Sequence, residues 1–205
     1  EVLLYDIDPD TRISYPYFIE DDGQFWVTQT QKDEARVNKI DRKLLEGLWS
    51  QSRNSSVACE GLVVEADLEK LKSGYVDMPQ NLNLLELNGL TIDMWIRLES
   101  LEAGQIIFDS RDKRGRGIVI STSNGNEISP PKDSSLKGSV RIDINDGNNT
   151  ASWDVDAGLL APEELHHVVF IVDCGPRIIS AVVDGKYCDG NFQREYGWGR
   201  YEQCL

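Results

Sequence analysis

Between Thr91 and Arg97 the chain alternates strictly, with Ile92, Met94 and Ile96 on one side of an extended strand and Asp93, Trp95 and Arg97 on the other. No helical period fits that pattern. Short apolar runs of the same kind, broken by Gly, Asn and Asp, recur at 61–64, 74–78, 90–98, 105–109, 117–121, 139–145, 150–155, 166–172, 178–184 and 186–188. About ten strands at this spacing need two sheets to bury their apolar sides, which predicts an all-β antiparallel two-sheet sandwich. Asn145-Asp146-Gly147-Asn148 and Val183-Asp184-Gly185-Lys186 are hairpin signals, because Gly accepts the positive φ of tight turns. Helical patterning is confined to 42–49 and a turn or two within 66–73.

The N-terminal part has its own strand texture. Residues 15–19, a turn at 20–23, then 24–30 and 36–40 read as a three-stranded meander. A polar stretch follows the short helix, so the chain divides into 1–49, a linker at 50–60 and a sandwich over 61–205. With 205 residues, 40% of them hydrophobic, there is enough chain for a real core in this arrangement.

Charge limits the partners. Thirty-five acidic against 21 basic residues give a net charge of -14, which repels phosphate backbones and anionic membrane surfaces, so nucleic acid is not expected. The longest apolar runs, such as 168–172, fall far short of the ~20 residues of a membrane helix.

The cysteines at 59, 174, 188 and 204 show no Cys-x-x-Cys spacing, and the two histidines, His166 and His167, are adjacent, so a structural zinc site lacks its ligands. Disulfides are the better reading, and three connectivities are open. Between Cys174 and Cys188 the chain runs along the 178–184 strand and returns by only a few residues, which separates them beyond the ~7 Å a disulfide spans. Cys59 with Cys188 is the pairing favoured. Sequons at Asn54 and Asn148 agree with a secreted or vesicular protein that carries N-linked glycans.

Several stretches carry a family likeness. Gly74-Tyr75-Val76-Asp77-Met78-Pro79, Leu90-Thr91-Ile92-Asp93-Met94-Trp95-Ile96, Leu165-His166-His167-Val168-Val169-Phe170-Ile171-Val172-Asp173 and Val182-Val183-Asp184-Gly185-Lys186 resemble, in order and spacing, the laminin-G-like branch of the concanavalin A-like jelly rolls. Leu165 departs from the tryptophan that the family usually places before its His-Val strand. The resemblance also implies a closing strand beyond 196–200, expected to be missing here.

Residues 1–49 resemble something else, the last blade of a sialidase-like carbohydrate-active β-propeller. The carriers are Arg12-Ile13-Ser14-Tyr15-Pro16-Tyr17-Phe18-Ile19, Asp22-Gly23-Gln24-Phe25-Trp26-Val27-Thr28 and Gln29-Thr30-Gln31-Lys32. One blade cannot bury both its faces. That likeness therefore implies a larger chain of the same precursor carrying the remaining blades, and puts Tyr15, Gln29, Gln31 and Lys32 near the propeller mouth as candidate site residues.

In the sandwich, Trp95 and Trp153 are candidate platforms for a pyranose ring, and Asp109 with Arg111 are candidate polar contacts. The plainer reading of Asp109 to Asp112 is a charged surface turn. Calcium is the one ion its carboxylates would suit, but calcium takes six or more oxygens and only two carboxylates are local, so no cofactor is assigned. Of the two histidines one must face inward and find partners in the core. Trp198, between two glycines, reads as a plug over a sheet edge.

Three functions compete on this footing. One is a glycan-cleaving enzyme, hydrolase or lyase, whose propeller holds most catalytic groups and whose sandwich is a lectin-like accessory. Another is a non-catalytic carbohydrate-binding lectin, and the third a structural domain that stabilises a propeller. The ligand common to the first two is a glycan or oligosaccharide.

Overall fold

A computed structural model describes residues 14–31, 34–50, 53, 61–76, 89–125, 138–189 and 198–201. The chain divides into two compact units, 1–82 and 83–205.

In the first unit β1 (Ser14–Asp21), β2 (Gln24–Gln31) and β3 (Glu34–Ile40) form an antiparallel meander in that order. Asp22 and Gly23, at φ 47° and 73°, make the tight turn that joins the first two strands. Asp41 then starts α1 (Arg42–Ser50), its Oδ1 accepting the Lys43 N–H at 2.9 Å. Leu45 is the buried residue of this helix and packs with Phe25 and Ile40. Phe25 meets Phe18 in a stacked pair and Trp49 edge-on, both at 5.5 Å. The core is small, and every residue of β1 stays exposed. A one-turn helix, α2 (Leu68–Leu71), is capped by Asp67, whose Oδ1 accepts the Lys70 N–H at 3.0 Å.

Residues 61–64 and the described part of 74–78 are irregular, not the expected strands. Short apolar runs also occur in extended connections, and among the described residues neither stretch has a partner strand to complete a ladder. Of the expected linker only Ser50 and Arg53 are described; Asn54, Cys59 and Lys32 lie outside the described residues.

The second unit is the two-sheet sandwich. Its strands are β4 (Gly89–Arg97), β5 (Ile106–Asp109), β6 (Gly117–Ser123), β7 (Ser139–Asn145), β8 (Thr150–Asp154), β9 (Leu165–Asp173), β10 (Ile178–Val183), β11 (Lys186–Tyr187) and β12 (Gly199–Arg200). A five-stranded sheet runs β11-β10-β9-β4, with β12 also pairing β10, and a four-stranded sheet runs β5-β6-β7-β8. All pairs are antiparallel. β12 falls within 196–200; the position of the further closing strand, beyond it, lies outside the described residues.

Between the sheets, Ile118, Ile120, Val140, Ile142 and Ile144 face Val168, Phe170, Val172, Ile179, Ala181 and Val183. Each fully buried Ile or Phe contributes about 2 kcal/mol. This burial fixes register, because a slip of one residue would turn the whole apolar set of a strand to the outside. Phe170 therefore sits opposite Ile92 on one side and Ala181 on the other. Asp184 and Gly185, at φ 49° and 76°, close the β10–β11 hairpin as a primed turn. Cys188 is buried in the core and Cys174 half-buried, and the two are not joined to each other.

Candidate functional site

The same alternation that buries Ile92, Met94 and Ile96 turns Asp93, Trp95 and Arg97 outward on the five-stranded sheet. Trp95 keeps 65% of its surface exposed in the middle of a strand. Its cross-strand partner is His167, and the two rings stack with centroids 4.8 Å apart and planes inclined by 22°. His167 is held in turn by Asp93, whose Oδ1 lies 2.9 Å from Nε2. A carboxylate can only accept, so Nε2 carries the proton.

Behind this pair, His166 points the other way and is buried. Its Nε2 accepts the Ala161 N–H at 3.0 Å, which leaves the ring proton on Nδ1, 2.7 Å from Asp184 Oδ2. The second oxygen of Asp184 accepts the His167 N–H at 2.8 Å. The hydrogen bond from His166, then the one from the His167 backbone, hold the Asp184 carboxyl below the ordinary carboxylate value. One carboxylate at the hairpin turn thus anchors the strand on which the Trp95 partner sits. The outward face continues across Val169 on β9, Ser180 and Val182 on β10 and Tyr187 on β11. The Tyr187 hydroxyl lies 3.4 Å from the Ser180 hydroxyl.

Within the sandwich the other expected site residues do not join Trp95. Asp109 ends the edge strand β5 of the other sheet and Arg111 lies just beyond it; the two satisfy each other in a fork, Nε to Oδ1 at 3.0 Å and Nη2 to Oδ2 at 2.7 Å. Arg111 accordingly lowers the Asp109 pKa, and Asp109 raises that of Arg111. Asp112 and Arg116 repeat the arrangement one turn later, with the Asp112 carboxyl brought down to about 2 by the Arg116 side chain. Gly117 allows this loop to close, since a Cβ there would lie 2.7 Å from the Ser110 carbonyl oxygen, with φ at 144°. The pairing explains why both charges tolerate one tight turn. Among the described residues no group of three or more His, Cys, Asp or Glu side chains is placed to hold a metal ion.

Trp153 is half-buried, packed on the core and under Gly199, where an added Cβ would lie 2.7 Å from its ring. Its ring is engaged in packing, in contrast to Trp95. Asn148 is exposed on the β7–β8 hairpin, where the Asp146 carboxylate accepts its backbone N–H. In the meander, Tyr15 is 88% exposed at a bulge of β1 with φ 49°, whereas Gln29 is buried. Gln31 pairs with Glu34 through the backbone ladder.

Three members of the Trp95 cluster escape the sequence. Asp93 shares a face with Trp95 by simple alternation, but His167 joins them only through the β4–β9 register, across 74 positions. Asp184 and Tyr187 enter through a hairpin whose turn was legible and whose neighbours were not.

A family model described as the concanavalin A-like lectin/glucanases superfamily matches residues 70–199, more than half of the chain. No curated protein matches, and no solved structure does.

Proposed function

The chain belongs to the concanavalin A-like lectin/glucanases superfamily, and from that premise we propose that its sandwich is a glycan-binding module whose ligand stacks on Trp95. The observation that carries this reading is a large aromatic ring, two-thirds exposed in mid-strand, held parallel to a second ring that a carboxylate fixes in place. Covering an exposed indole removes apolar surface from water, and the apolar face of a pyranose suits it. Asp93 supplies a carboxylate edge beside the ring for sugar hydroxyls.

In the wider reading the sandwich is the lectin-like accessory of a secreted carbohydrate-active protein. The meander is then the last blade of a sialidase-like propeller, and the groups that cleave glycan lie on further blades of the same precursor. Support comes from β1, which leaves Tyr17, Phe18 and Ile19 exposed beside Tyr15, the apolar surface a neighbouring blade would bury. Native purification of the protein from its source should then bring down a larger polypeptide.

Isothermal titration of the full chain against saccharides picked from a printed glycan array tests the binding reading. Trp95→Ala should weaken binding more than about tenfold while the melting temperature holds. Unchanged affinity in that variant would refute it.

A further inference from the structure

We propose that the ligand on this face is an extended oligosaccharide running across the strands, with Tyr187 as a second platform at its far end; this rests on the glycan-binding reading of Trp95. Tyr187 lies on the opposite border of the same sheet, in the order β11-β10-β9-β4. Its partner Val182 pairs with Val169, which pairs with Asp93, so one cross-strand row joins Tyr187 to the residue two before Trp95. All four belong to the outward set, because their strand neighbours Ala181, Val183, Val168 and Phe170 fill the core.

The span follows from sheet geometry. Three strand spacings and one two-residue step along the strand separate the two aromatic positions by about 16 Å. A linked pyranose adds about as much length as one strand spacing, roughly 5 Å, so the two rings are spaced for an internal run of three or four sugars. A single terminal sugar would leave one of them unused. Between the platforms the floor is apolar and half-buried at Val169 and Val182. Hydrogen-bonding groups flank it: Asp93 on one side, and the Ser180 and Tyr187 hydroxyls on the other. That combination of a low apolar floor, polar borders and rings at both ends matches the alternating faces of a glycan chain.

An array printed with mono- to hexasaccharides of glucan, galactan, mannan and N-acetylglucosamine series, read with the full chain, tests the proposal. Affinity should climb about tenfold between mono- or disaccharide and tetrasaccharide, then level off. Tyr187→Ala should erase that climb and leave the short ligands unaffected, while Tyr187→Phe keeps most of it. Binding that does not strengthen beyond a disaccharide, or a Tyr187→Ala profile identical to wild type, overturns the extended site and leaves the Trp95 platform standing. No saccharide bound, or Trp95→Ala binding as well as wild type, overturns both. Thermal melting of each variant separates loss of ligand contact from loss of fold, and an unfolded Tyr187→Ala is replaced by Tyr187→Ser, which is read by the same criteria.

Discussion

The His167 imidazole lies flat against the Trp95 indole, ring centres 4.8 Å apart, with Asp93 at 2.9 Å from its far nitrogen. A side chain clamped at both ends restricts the indole it touches, so binding there forfeits less side-chain entropy. His167→Ala should therefore weaken saccharide binding several-fold, through a looser Trp95, and shift the melting temperature little, because the ring packs on the outer face and not in the core. Titration calorimetry beside a thermal melt checks both halves.

Asp184 predicts a pH dependence. Its carboxyl titrates below the ordinary value of 3.8, first because of the His166 ring proton and then because of the His167 N–H. A depressed carboxylate stabilises the fold above its unfolded pKa and loses that contribution as pH falls through the folded one. Asp184→Asn should thus be less stable than wild type at neutral pH, and the gap should close only below the ordinary carboxylate range. Urea unfolding of the two proteins at a series of pH values measures it; a constant gap down to pH 2, or none at pH 7, goes against the assignment.

Alternation made the sandwich legible, because a strand half-buried in a core writes its own face into the sequence, as at Ile92, Met94 and Ile96. Helix α1 and the Asp184-Gly185 turn were legible for similar local reasons. The candidate site was legible only on its own strand, at Trp95 and, by alternation, Asp93. Its neighbours depend on which strands pair and in what register, and nothing near Trp95 in the chain encodes His167. Trp153 shows the converse limit. Its half-buried packing under Gly199 is set by a strand nearly fifty residues later, so its place in a strand said nothing about whether its ring was available.

On the outside of the four-stranded sheet a polar cluster is close to buried. Asp154, with 5% of its side chain exposed, receives Arg141 Nε at 3.0 Å and Nη2 at 3.1 Å, and the Ser123 hydroxyl donates to it. Removing one partner of such a pair leaves a charge without its counterion in a desolvated place, which costs far more than the pair was worth. Asp154→Ala should destabilise the sandwich by about 3 kcal/mol in urea unfolding. Replacing Arg141 and Asp154 together by Met and Leu should recover most of that loss.

Gln29 makes the opposite prediction. It is 7% exposed on the inner side of the meander, and its Oε1 is buried with no hydrogen-bond partner among the described residues; Asn38 Nδ2 on the adjoining strand is in the same condition. Register puts Asn38 opposite Val27 and Gln29 opposite Arg36, so the two amides lie on one face, one diagonal step apart. A buried polar atom that makes no bond costs roughly 1–3 kcal/mol, and an apolar side chain of similar length pays none of it. Gln29→Met should therefore stabilise the isolated chain by about 1 kcal/mol, read as a later urea midpoint. If a companion chain supplies the missing partners in the native assembly, the same substitution should weaken that assembly while strengthening the chain alone. A destabilised isolated chain would mean that the Gln29 amide already has its hydrogen bond, and would remove this residue as a candidate contact for anything outside the meander.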